Sequence, residues 1–168
     1  MANRDTRHPF ALFGLEPRFD VDLRQLRTAW LRRAVGSHPD AAGETEESAA
    51  LNDAYQLLLD PVRRAVCLLE VMQAPRVDER RLPPGFLERM IERRERADDT
   101  GHDPAARAQM IEEAKSLRSE AIGRIAAAFA GVPSLPMAAD AAQAVHVELN
   151  VIRAFDRMLE QLAREAQA

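Results

Sequence analysis

The chain is poor in the residues that build sheets, disulfides and metal centres. Its 168 residues include one cysteine, one tryptophan and one tyrosine, and aromatic side chains make up only 5%. Cys67, being alone, excludes an internal disulfide. The histidines at 8, 38, 102 and 146 have no ligand spacing with it or with one another, so neither a structural metal nor any other cofactor is expected. No alternating β-branched run occurs, which argues against strands. No apolar stretch approaches the roughly 20 residues needed to span a bilayer. The segment from Met1 to His8 carries Arg4 and Arg7 without an apolar run of signal-peptide length behind it. The expectation is a soluble protein of a reducing cytoplasm. Two further absences bear on function. No glycine-rich phosphate loop is present. The net charge of −4 excludes a general nucleic-acid binder, which needs a basic face to neutralise phosphates.

What is present is helical period. With 46% hydrophobic and 30% charged residues the composition is that of a globular chain. Pro9 opens a short first segment through Phe10, Phe13 and Leu15, which Gly14 and Pro17 cut off. Leu23, Leu26, Trp30, Ala34 and Val35 recur at helical spacing behind Asp20 or Asp22, and Gly36, Ser37 and Pro39 end that helix. Residues 44–59 form the next, with Leu51, Ala54, Tyr55 and Leu58 on one face. Asp60-Pro61 pairs a capping side chain with a residue that lacks an amide hydrogen, and so starts a fourth helix running to Met72. Pro75, Pro83 and Pro84 mark residues 76–85 as an elbow linker between residues 1–75 and residues 86–168. Three more helical segments follow, over 86–97, 104–130 and 137–166. Their one-faced stripes and short connections predict a three-helix bundle.

Charge is distributed unevenly. From Asp22 to Gly36, Arg24, Arg27, Arg32 and Arg33 face a single acid, whereas Glu44 to Asp60 holds five acids and no base. Two explanations stand side by side. Either two antiparallel helices attract each other, or the arginines form a basic face for a partner.

Between those helices lies His38-Pro39-Asp40. Alone the tripeptide is a common turn. Here it joins Phe10-Ala11-Leu12-Phe13-Gly14-Leu15, Trp30, Leu51-Asn52-Asp53-Ala54-Tyr55 and Asp60-Pro61-Val62-Arg63-Arg64-Ala65 in one order. The ordered set resembles a J-domain. The run Arg64-Ala65-Val66-Cys67-Leu68-Leu69 and the segment Phe86-Leu87-Glu88-Arg89-Met90-Ile91-Glu92-Arg93-Arg94-Glu95 narrow the resemblance to the HscB type, the J-proteins of iron–sulfur cluster assembly. There is no Gly/Phe-rich linker and no zinc-finger cysteine repeat as in general DnaJ proteins. Departures are confined: Gly36 and Ser37 stand where the family usually has a lysine and an aromatic, Ala41 and Ala42 follow the tripeptide, and Glu88 and Arg93 replace apolar residues.

The resemblance implies an all-α protein, a J-domain helical hairpin followed by a C-terminal three-helix bundle. It implies a co-chaperone that stimulates the ATPase of a DnaK/HscA-class chaperone and delivers to it an iron–sulfur cluster scaffold protein. His38, Pro39 and Asp40 would engage the chaperone, with Arg24, Arg27, Arg32 and Arg33 as the basic face. Leu87, Ile91, Glu92 and Glu95 would bind the scaffold, joined by a contact on the last helix that aligns with Ala154 or Phe155. An enzyme using His38 and Asp40 is disfavoured, because no nucleophile lies nearby in sequence. The alternative is a J-domain co-chaperone for a different client.

Overall fold

The computed structural model describes residues 8–36, 46–99, 103–132 and 135–165. Among these there are seven helices and no strand. The fold is all-α. The chain divides into two compact units, one built from the described residues of Met1–Ala74 and Ser134–Met137, the other from those of Pro75–Pro133 and Ala138–Ala168.

In the first unit α1 (Pro9–Leu12), α2 (Leu23–Gly36) and α4 (Pro61–Val71) pack around α3 (Glu46–Leu59). Leu51, Ala54 and Leu58, three and four residues apart, place one face of α3 in the core. Phe10, Leu26 and Leu68 meet that face as fully buried side chains. The caps explain where the helices start. Asp22 Oδ1 accepts the amides of Arg24 and Gln25 at 2.8 and 3.2 Å, and Asp60 Oδ1 those of Val62 and Arg63 at 2.7 and 3.0 Å. At the far end of α4 the Ala74 amide donates to Leu69 O and the Gln73 amide to Glu70 O, closing a Schellman turn with Gln73 in the left-handed region at φ 51°. Trp30 and Tyr55 are half-buried and stacked at 4.9 Å, and Trp30 Nε1 donates to Asn52 Oδ1 at 3.0 Å, so this pair links α2 to α3 by an aromatic face and a hydrogen bond together.

Arg64 is buried beneath these helices, with 9% of its surface exposed. Its Nη1 donates to Leu58 O at 2.6 Å, and the guanidinium lies 5.0 Å from the centroid of the Phe19 ring. Burial pulls its pKa down while Asp20 and Asp60 pull it back up, and an arginine in such a place stays charged. The side chain thus ties the C-terminal end of α3 to the loop before α2. Arg64→Ala should cost about 2 kcal/mol or more, because it leaves a carbonyl unsatisfied and a void under Phe19. Chemical denaturation of the full chain measures this.

Cys67, three residues on, packs inward. Desolvation raises the pKa of its thiol, and Glu70 raises it further. The folded thiol ionises at higher pH than the unfolded one, so its contribution to stability is complete below the unfolded pKa and is lost as pH rises through the folded one. A disulfide reagent at mildly alkaline pH should therefore label Cys67 slowly in buffer and rapidly in denaturant. Equal rates in both would contradict the burial.

The second unit is built on α6 (Pro104–Ala130) and α7 (Ala139–Glu165). Asp103 caps α6 through the Ala105 amide at 2.9 Å, and Pro104 sits where its missing amide hydrogen is not needed. The two helices run antiparallel, as their ion pairs show: Arg118 Nε meets Asp156 Oδ1 at 2.6 Å and Arg124 Nε meets Glu148 Oε1 at 2.9 Å, one number falling as the other rises. Ala114, Ala121, Ile125 and Phe129 of α6 and Ala142, Val145, Leu149 and Ile152 of α7 are buried. Leu117 and Leu159, on the same predicted stripes, are half-buried at their edges.

Residues 76–85, read from sequence as a linker, lie along α7. Gln143 Nε2 donates to Asp78 O at 2.8 Å while its Oε1 accepts the Asp78 amide at 3.2 Å. Asn150 Nδ2 donates to Glu79 O at 2.8 Å and to Arg81 O at 3.0 Å. Gly85, at φ 68°, then turns the chain into α5 (Phe86–Asp99), which docks by Phe86.

Candidate functional site

Two surfaces carry the residues singled out by sequence, one in each unit. On α2, Arg24, Arg27 and Arg32 are exposed, and none is in an ion pair with a described residue. Successive residues of an α-helix turn by about 100°, so Arg24, Arg27 and Leu31 form one stripe with Arg32 beside it, while Arg33 falls on the opposite side from Arg24. Leu31 is 45% exposed within this stripe. Three of the four arginines thus share a face and the fourth does not. His38, Pro39 and Asp40 lie outside the described residues, as do Ser37, Ala41 and Ala42.

The second surface is a groove of about 820 Å³ between α5, α7 and the segment before α5. Leu87 and Ile91, one helical turn apart, line it and stand 60% and 59% exposed. Side chains of this size left open on a helix whose other face is docked mark a surface built for contact. Phe86 anchors the docked face, meeting Phe155 edge to face at 6.0 Å.

Phe155 itself is only 3% exposed and forms the packing beneath the groove; Ala154, its neighbour, lines the groove. Glu92 and Glu95 are exposed and line a separate, charged concavity with Arg89, Arg93, Arg96 and Glu113. The four residues of α5 expected to bind together therefore divide, Leu87 and Ile91 toward the groove, Glu92 and Glu95 on its outer flank.

Arg93 occupies a position that looked misplaced in an apolar pattern. Its stem reaches over the bundle, its guanidinium carbon lies 6.0 Å from the centroid of the Phe155 ring, and Nε pairs with Glu113 Oε1 at 3.1 Å. Arg96 reaches the same carboxylate at 3.1 Å. Arg93 thus covers an aromatic and pins α5 to α6, which is why a cation is tolerated there.

Of the α7 side of the groove, sequence reasoning named Ala154 as one of two candidates but missed Arg153, Arg157 and Met158, which lie with it beside the core stripe. A row of small and charged residues reads as a solvated face, so only the docking of α5 shows that it is a wall. Among the described residues no three His, Cys, Asp or Glu side chains converge as a metal site, and no helix is long and apolar enough to cross a membrane.

No family model matches the chain. It is 38% identical over 120 residues to the co-chaperone protein HscB homolog of Bordetella avium, an alignment covering 65% of this chain and 71% of that protein. The chain belongs to the HscB co-chaperone family. The corresponding homolog of Colwellia psychrerythraea is 34% identical over 122 residues, covering 66% of this chain and 70% of its own length. Solved structures agree in fold. Chaperone HscB from Vibrio cholerae superposes with a TM-score of 0.71 over 94% of this chain and 96% of its own, at 24% identity. The human co-chaperone HscB gives 0.76 over 98% and 85%, at 22% identity.

The placement of the aromatic pair separates support from contact. Phe155→Ala should lower stability by about 3 kcal/mol or more, the usual cost of emptying a buried phenylalanine site. Leu87→Ala should change stability by less than about 0.5 kcal/mol, as expected for an exposed side chain. Thermal or urea unfolding of the two variants checks the contrast.

Proposed function

We propose that this chain is a cytoplasmic co-chaperone that stimulates ATP hydrolysis by a DnaK/HscA-class chaperone and delivers to it an iron–sulfur cluster scaffold protein. The single observation that carries the client half is the pair Leu87 and Ile91, exposed over a formed groove in a different unit from the α2 arginines. Family membership, with the His38-Pro39-Asp40 tripeptide after α2, supports the chaperone half.

The chemistry is allosteric. A co-chaperone accelerates hydrolysis in its partner by binding the hydrolysis-prone state more tightly than the resting one. Arg24, Arg27 and Arg32 supply a cationic approach surface that raises the encounter rate with an acidic face and fixes its register, and Asp40 supplies the contact that biases the partner's state. At the other surface Leu87 and Ile91 lose water against the client, with Glu92, Glu95 and Ala154 around them and Phe155 holding the wall. ATP is cleaved on the partner, so this chain needs no nucleophile, metal or cofactor of its own. A co-chaperone for a different client is the rival reading, favoured by Glu88, an acidic residue of α5 where the family usually has an apolar one.

Steady-state ATPase of the cognate chaperone tests both halves. Asp40→Asn should abolish stimulation, and full stimulation by that variant would overturn the chaperone half. Leu87→Ala with Ile91→Ala should weaken scaffold binding about tenfold or more while leaving stimulation without scaffold unchanged, since two apolar anchors contribute on the order of 2 kcal/mol. No detectable binding of the scaffold by the folded wild-type chain would favour the different client.

A further inference from the structure

The groove is strongly cationic for an apolar surface. Arg80, Arg94, Arg153 and Arg157 line it, against the single carboxylate of Glu79. Arg153 Nη1 donates to Asn150 Oδ1 at 2.9 Å, and Arg80, Arg94 and Arg157 are in no ion pair with a described residue. Between the bundle helices, by contrast, arginines are neutralised: Arg93 and Arg96 share Glu113, Arg118 holds Asp156, and Arg124 holds Glu148. The groove holds its cations beside the open Leu87 and Ile91.

On the outer arc of α5 the charges are mixed: Glu88, Glu92 and Glu95 are exposed there, and Glu92 and Glu95 share a concavity with Arg89, Arg93 and Arg96. The excess of one sign belongs to the groove.

We propose that the groove receives an acidic apolar segment of the client, whose carboxylates pair with Arg94, Arg153 and Arg157 while its apolar side chains cover Leu87 and Ile91. This rests on the client-binding reading and adds to it the charge of what binds, with the acidic side of the client turned toward the arginines of the groove. Arginine suits the task because its planar, weakly hydrated fork pairs with carboxylates beside apolar surface at lower desolvation cost than lysine. A bare polyanion would satisfy the arginines and leave Leu87 and Ile91 in water, so the complementary partner is a protein segment.

The experiment uses the full chain and the purified scaffold in its cluster-free form, titrated calorimetrically at about 50 mM and about 300 mM salt, conditions between which the screening length falls by a factor of about 2.4. Arg94→Gln with Arg157→Gln should weaken binding about tenfold at low salt and much less at high salt, as expected for two partly exposed charge pairs. Leu87→Ala with Ile91→Ala should weaken it at both. Orientation is read separately. Arg94→Lys with Arg157→Lys places amines in the groove, and a zero-length carbodiimide should then couple them to aspartates or glutamates of the scaffold, located by mass spectrometry. Wild-type-like, salt-independent binding by the glutamine variant, or no coupling by the lysine variant in a formed complex, would overturn this inference and leave the client reading intact. Failure of the folded wild-type chain to bind scaffold would overturn both. Circular dichroism of each variant confirms that the bundle is present.

Discussion

The seam between α6 and α7 is the constraint on which the groove of the second unit depends. Ala114, Ala121 and Ala142 are fully or almost fully buried, so the two helices meet through small side chains that bring their backbones close. Larger residues then fill the ends: Phe129 and Ile125 on α6, Phe155 and Leu162 on α7. Interiors packed to this density deform little, and α5 must take whatever roll lets Phe86 meet Phe155. That roll decides which residues of α5 stay open. Once Phe86 and Arg93 are turned inward, helical geometry leaves Leu87 and Ile91 over the groove.

The first unit solves a different problem. The outer face of its basic helix stays clear, because the joints to α3 are made from the inner side. Leu26 packs inward and Trp30 adds a stack and a hydrogen bond. Arg64 is the contrasting case, a cation withdrawn from the surface altogether and used to stop the end of α3 from fraying. Charge in this chain therefore has three distinct employments: internal fastening, ion pairing between bundle helices, and exposed groups facing outward.

Element existence was legible because local signals agree with tertiary ones. Asp60-Pro61 and Asp103-Pro104 announce helix starts through capping and a missing amide hydrogen, and the helices begin there at Pro61 and Pro104. The exposed pair Leu87 and Ile91 was legible in part, since 86, 87, 90 and 91 span too wide an arc for one buried seam. The far wall of the groove was not. Arg153 and Arg157 are hydrophilic residues on a long helix, and no local pattern says that another helix will stand opposite them. Burial of Arg64 was equally hidden, because an arginine in sequence reads as surface until its partners are known. Between Ala154 and Phe155 the sequence offered no decision, as adjacent helical residues differ by about 100° and only the seam tells which points down.

The strap over residues 78–81 has a consequence for how the chain tolerates mutational drift. Gln143 and Asn150 grip it through main-chain groups, the carbonyls of Asp78, Glu79 and Arg81 and the amide of Asp78, and never through the strap's own side chains. A backbone seat is indifferent to the letters that occupy it, save at Asp78, whose own Oδ1 accepts the Arg80 amide at 3.0 Å and shapes the turn. The sequence over 79–81 is thus free to vary without loosening the attachment, while Asp78 and the two amide side chains that hold the segment are not. Evolutionary freedom and structural order, usually opposed in a loop, coincide here.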